Sequence, residues 1–277
     1  MSNDHKKLVT LSGVFLAVIA AGYFGLAWLK DVRDSSVYAL QIKTIRTASG
    51  IDKTDDFHKR LDRLRVFINK NSQHKEDAEF YSLWRDKTKM AGAFVDYLEK
   101  RRTDKPHMEC ASRSGLMAAV LQSKGYHTRS LDAHFVEKDG KLISHVLLDV
   151  WNPHTKTWET QDPEYDVYWK DRKTGARTSM AVSGAGKTVI PCNAAGCGWS
   201  IQSREGNHAS KLKKLTAYMA VTDRAAKERL TFYRPDIKPD IKMSRDGKSG
   251  TYCDVIGKNC RDGFLPSTTE NLKRIMD

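Results

Sequence analysis

The chain has 277 residues, of which 40% are hydrophobic and 29% charged, enough apolar material for a packed core and too much for a wholly disordered polymer. A formal net charge of +13 attracts polyanions in general. The cations are spread among acids, however, and no nucleic-acid-reading motif with its aromatic platform is present, so nucleic acid is excluded as the expected partner. A basic surface that contacts an anionic polymer stays within expectation.

After a tail at 1–7, residues 8–29 carry no charge. A helix of that length covers the roughly 30 Å hydrocarbon layer, so the segment predicts one transmembrane helix acting as a signal anchor. Gly25-Leu26-Ala27 offers small residues to a peptidase, which makes a cleaved export signal the alternative. Lys6 and Lys7 before the segment are matched by Lys30 and Arg33 after it, so positive-charge counting does not fix the orientation.

The cysteines give a second vote on location. Cys192 and Cys197 form one close pair in sequence, Cys253 and Cys260 another, and Cys110 stands apart. Four thiols beyond an exported segment predict two disulfides of undetermined connectivity and an extracytoplasmic main domain, periplasmic in a bacterium. The rival is a four-thiolate zinc site, disfavoured because the pairs enclose four and six residues where zinc knuckles usually enclose two to four. No metal and no cofactor are expected.

Residues 30–56 read as a polar stalk with a short apolar patch. Phe57, Leu61, Leu64, Phe67 and Ile68 recur at helical spacing, as do Phe80, Leu83, Trp84, Met90, Phe94, Tyr97 and Leu98. Lys100-Arg101-Arg102 and then Pro106 close the second run. A buried helix follows over 109–124 with Cys110 in its first turn and Gly125 at its end. The period then changes to that of strands over 128–137, 142–152 and 157–162, joined by turn-like segments into an antiparallel meander. From 166 to about 207 the chain is a polar, glycine-rich insert, and residues 57–207 are taken as one domain. Leu212, Leu215, Tyr218, Met219 and Leu230 predict a further helix, which with a disulfide-tied tail makes up 208–277. Ser183-Gly184-Ala185-Gly186-Lys187-Thr188 is not a phosphate-binding loop, since Ala181 stands where that motif requires glycine.

Three residues in this order suggest chemistry. A cysteine at a helix start is favoured as thiolate by the unsatisfied amides and the helix dipole. A histidine beside it stores the proton and returns it to a leaving amine, and a carboxylate orients the ring. His145 and Asp162 fall on adjacent predicted strands, where a short turn brings them side by side. Taken singly, Cys110 reads first as a buried core thiol and His145 as a satisfied strand histidine, and it is their order together with Asp162 that favours chemistry. His127, His134 and His154 read as surface or turn residues.

Cys110-Ala111-Ser112-Arg113-Ser114 through Gly125-Tyr126-His127-Thr128-Arg129 resembles the cysteine helix of the transglutaminase-like superfamily. His145 to Trp151 is similar to that family's histidine strand, and Trp158 to Pro163 to its aspartate and proline ending. The resemblance implies an α+β fold with a transglutaminase-like (papain-like) core, the cysteine helix packed on an antiparallel sheet and preceded here by one transmembrane helix. It also implies Cys110 as nucleophile, His145 as proton shuttle, Asp162 as orienting group and an acyl-thioester intermediate. The substrate is then an amide or ester bond in a protein or peptide of the cell envelope, with hydrolysis expected over cross-linking. Met108-Glu109 departs from the glycine or tryptophan common before the family's cysteine, and a negative charge there opposes a thiolate. The second oxyanion donor is unassigned among Trp84, Tyr81 and Gln73. The alternative is an inactive module of the same fold that holds an anionic glycan or an envelope protein.

Overall fold

The computed structural model describes residues 33–274 apart from 186–187, 203–211, 213, 216, 239 and 257–263. Helix α1 occupies 33–49 and is followed by α2 (Phe57–Asn71), α3 (Ala78–Leu83), α4 (Lys87–Leu98) and α5 (Cys110–Gln122). Aspartates start three of them: the Lys59 N–H donates to Asp56, those of Glu79 and Phe80 to Asp77, and those of Thr88 and Lys89 to Asp86. Their apolar stripes meet in one core, in which Ile42, Ile45, Leu61, Leu64, Ile68, Phe94, Met117 and Val120 are buried. The segment expected as a polar stalk therefore belongs in part to the helical layer, since Ile42, Ile45 and Ile51 lie inside it.

Among the described residues the large sheet holds nine strands. Its centre is β3 (Thr128–Val136), β4 (Leu142–Asn152) and β5 (Thr157–Asp162), an antiparallel meander on the residues whose alternation predicts it. Leu148 and Val150 of β4 pack into the helical core, whereas Leu147 packs into a second core that contains Leu131, Trp169, Tyr218 and Tyr252. Beyond β5 the sheet continues through β6 (Val167–Asp171), β7 (Val189–Asn193) and β8 (Gly196–Cys197). On the other side β3 pairs with β9 (Tyr218–Asp223), β9 with β10 (Glu228–Tyr233), and β10 runs parallel to β13 (Phe264–Pro266). Tyr218 and Met219 thus lie in a strand where a helix was expected. Four consecutive residues, Tyr218 to Val221, are buried, and a strand covered on both faces shows no alternation to distinguish it from a buried helix.

Two small pairings shape the site. β1 (Gln73–His74) lies parallel to β2 (His107–Met108), immediately before Cys110. The hairpin of β11 (Met243–Arg245) and β12 (Lys248–Gly250) turns at Asp246 and Gly247, with φ of 51° and 76°. It is fastened to the sheet by the Ser244 N–H, which donates to the Gly140 carbonyl at 2.9 Å. A disulfide joins Cys192 to Cys197 across β7 and β8, and Cys253 is also disulfide-bonded.

No helix among the described residues is long and apolar enough to cross a membrane. This corrects the fold expectation of a transmembrane helix ahead of the core, and with it the single-pass, signal-anchored, extracytoplasmic assignment. The 15 residues of α2 rise only about 22 Å, short of the hydrocarbon layer. Helix α1 carries Asp34, Lys43 and Arg46 and buries only one face. Residues 8–29, on which the anchor was placed, lie outside the described residues. What stands is a mixed α/β architecture built on one large sheet.

Candidate active site

Cys110 is the first residue of α5. The preceding Glu109 is extended, and its N–H donates to Ser112 Oγ at 2.9 Å, which sets the angle at which the chain enters the helix. Upstream, β2 is held by its pairing with β1, and Met108 is fully buried, so the cysteine is fixed from both directions. Cys110 is partly exposed and is the free cysteine among the described residues.

His145 lies within β4, paired opposite Ala133, and its ring is buried. Nε2 is 2.8 Å from Asp162 Oδ2 at the end of β5, and the Cys110 thiol is within hydrogen-bonding reach of the same ring. With Nε2 committed to the carboxylate, Nδ1 is the nitrogen left to face the sulfur. The three residues predicted from sequence are therefore brought together.

The carboxylate of Asp162 is held by its other oxygen. Oδ1 accepts from the N–H of Glu164 at 2.9 Å and of Tyr165 at 3.2 Å, in the sharp turn that Pro163 begins. That turn is secured in its own right. Asn69 Nδ2 of α2 donates to the carbonyls of Pro163 and Glu164, and buried Arg113 of α5 donates to the Glu164 carbonyl at 3.2 Å. Arg113 also forms an ion pair with the buried Glu164 carboxylate at 3.2 Å, whose other oxygen is 2.6 Å from His74 Nδ1. The Tyr165 ring stacks on His145 with centroids 4.8 Å apart and planes 18° apart.

Charges act on the ring in opposing directions. Burial disfavours the imidazolium, but the Asp162 carboxylate and the Cys110 sulfur outweigh it and hold the pKa of His145 well above the usual histidine value. Glu109, whose Oε2 is 3.9 Å from the Cys110 sulfur, is the anionic neighbour foreseen as unfavourable. Burial, then Glu76 and Glu164, push its carboxyl up, towards the neutral form that would oppose a thiolate less.

Cys110 and His145 open into a cleft of about 880 Å³ that is also lined by His74, Trp84, Tyr165 and the β11–β12 hairpin. Of the three side chains considered as oxyanion donors, Trp84 lines this cleft, while Tyr81 and Gln73 are exposed and do not. The backbone N–H of Cys110 is a donor at the start of a helix and is available to an oxyanion. His134, read as a surface residue, is buried, and its Nδ1 shares a hydrogen bond of 2.9 Å with the Tyr252 hydroxyl. Burial, then Arg245 and Arg229, lower its pKa to about 3.

Arg113, Glu164, Tyr165 and the hairpin were not foreseen as parts of the site. Arg113 carried a signal, being a cation three positions from Cys110 on a helix read as buried. The turn after Asp162 carried another in its proline. Nothing local marks the hairpin as a neighbour of Cys110.

No protein-family model matches the sequence, and no curated protein matches it. Similar solved structures include one described as a TGase, at 14% identity with a TM-score of 0.31, covering 46% of this chain and 31% of that one. Another is a chain of Rad4-Rad23 bound to a 6-4 photoproduct UV lesion, at 11% identity with a TM-score of 0.33, covering 70% of this chain and 43% of that one. The chain thus spans less than half the length of either structure. At such TM-scores the likeness carries no argument about chemistry, and the site is read from its own geometry.

Proposed function

We propose that this chain is a thiol enzyme acting on amide or ester bonds of a peptide or protein, with Cys110 as nucleophile. The observation that carries the reading is the 2.8 Å contact of His145 Nε2 with Asp162 on a ring whose other side is within reach of the Cys110 sulfur. In the first half-reaction the thiolate attacks the carbonyl carbon, and the C=O electron pair moves to an oxyanion met by the Cys110 N–H. The oxyanion collapses as the C–N or C–O bond breaks, and the His145 imidazolium gives its proton to the leaving group. An acyl-thioester remains. In the second half, neutral His145 takes a proton from water as it attacks the thioester, the acid is released and the thiolate returns.

Hydrolysis is favoured over transfer to an amine because the cleft is wide and lined by charged and hydroxyl side chains, which water enters readily. Asp162 keeps the ring in place and stabilises its charge while staying ionised itself. The test is to incubate the purified chain with a defined peptide mixture and read cleavage and acyl adducts by mass spectrometry. The expected outcome is new peptide termini and an adduct at Cys110 that hydroxylamine removes, both absent in Cys110→Ala. Cleavage equal in the variant, or no turnover with an inert thiol, would favour a module that binds without reacting.

A further inference from the structure

Two groups of elements of opposite charge line the cleft in front of Cys110. One contributes Glu76, Glu109 and Glu164; the other contributes Lys141, just before β4, with Arg245 and Lys248 of the β11–β12 hairpin and a single acid, Asp246, at its turn. The acids are largely answered from within the protein. Glu164 is met by Arg113 and His74, and the Glu109 carboxyl is pushed up by burial and then by its acidic neighbours. The cations are answered less fully, although Arg245 also acts on the Asp132 carboxylate. Among the described residues neither the Lys141 nor the Lys248 ammonium is in an ion pair, and the ion pair of Arg245 is with the exposed Asp246 of its own turn, at 3.4 Å.

The position of these cations is built in. Ser244 pairs with Lys141 across a bridge and donates its N–H to Gly140, while Met243 is buried in the second core. The hairpin is thereby fixed at Lys141, just ahead of β4 and four residues before His145. Cations grouped in a concave space concentrate their field there, and a guanidinium adds a planar fork that fits a carboxylate.

We infer that Lys141, Arg245 and Lys248 recognise a carboxylate carried by the amide substrate within a residue or two of the bond that Cys110 attacks. This rests on the thiol-enzyme reading above. The carboxylate can belong to an acidic side chain or to a chain terminus, and the chemistry of recognition is the same.

Three matched reagents separate the possibilities: chloroacetyl-glutamine amide, which is neutral, chloroacetyl-glutamate amide, with a side-chain carboxylate, and chloroacetyl-glutamine, with a terminal one. In each, the Cys110 thiolate attacks the chloromethyl carbon, a C–S bond forms, and chloride leaves with the electrons of the C–Cl bond. The rate at Cys110 is read by peptide mapping. One or both anionic reagents are expected to outpace the neutral one by about fivefold, and ~0.5 M salt is expected to erase the advantage. Which of the two gains identifies the source of the carboxylate. In Lys141→Ala, Arg245→Ala and Lys248→Ala the anionic-to-neutral ratio should fall towards one, a ratio that cancels any general loss of reactivity. Equal rates for all three reagents in the unaltered protein would overturn the inference and leave the thiol-enzyme reading intact. A Cys110 that none of them alkylates would overturn both.

Discussion

The ring of Tyr165 lies parallel to that of His145 at 4.8 Å, and its own backbone N–H donates to the carboxylate that His145 touches. One residue thus braces the imidazole from its face and the aspartate from its lone pairs. Tyr165→Phe keeps both contacts and should retain most of the activity, whereas Tyr165→Ala frees the ring to rotate. A misplaced general acid costs on the order of tenfold to a hundredfold in kcat, with KM less affected. Steady-state kinetics on a peptide cleaved by the unaltered protein distinguishes the two, and equal loss in both variants would speak against bracing.

Removing the charge of Asp162 should change the pH dependence in a defined direction. The carboxylate raises the pKa of His145, and the protonated ring is the acid that the leaving group needs. Activity therefore falls as pH rises through that elevated pKa. In Asp162→Asn the pKa drops, so the alkaline limb of the kcat profile moves to lower pH while the maximum rate also declines. A limb that stays in place would show that another group titrates.

Stability in mild acid should depend on His134. Its ring is buried, shares a hydrogen bond with Tyr252, and has a pKa of about 3 against an ordinary value of 6.5. Between those values the unfolded chain binds a proton that the folded chain refuses, so stability is complete above pH 6.5 and is lost as pH falls. The loss approaches about 1.4 kcal/mol per pH unit, or about 2 kcal/mol between pH 7 and pH 5. His134→Gln retains a hydrogen-bonding partner for Tyr252 without the titration. Denaturant midpoints at the two pH values should separate less in the variant than in the unaltered protein.

The buried ion pair of Arg113 and Glu164 ties the cysteine helix to the turn after Asp162. Arg113→Met leaves a buried carboxylate short of its main partner and should cost about 3–5 kcal/mol in denaturant unfolding. The double variant Arg113→Met/Glu164→Gln removes the charge as well and should recover part of that loss. A double variant as unstable as the single one would mean that packing of the arginine stem, and not the charge, is what matters.

Much of the central sheet could be read from the sequence, because Leu131, Ala133 and Phe135 of β3 alternate into one core, Leu147 and Leu148 of β4 face different cores, and the strands are joined by short polar turns. The same reading aligned His145 and Asp162, since neighbouring strands of known direction leave little freedom. The strand β9 escaped it: residues buried on both faces lose the alternation that marks a strand. The hairpin falls in the segment expected only as a disulfide-tied tail, and its place beside Cys110 depends on a bond to Gly140 about a hundred residues away. His134 was misjudged because its burial comes from Tyr252, which is equally remote in sequence. Local chemistry announces itself in the sequence, and long-range docking does not.

The most direct measurement is the rate of iodoacetamide alkylation at Cys110, mapped by mass spectrometry across pH 5 to 9 with the disulfides intact. If the sulfur shares a proton with His145, Cys110 reacts quickly even on the acid side of this range, and His145→Ala slows it there by about tenfold or more. A cysteine that stays inert throughout, or reacts identically with and without the imidazole, would contradict the account.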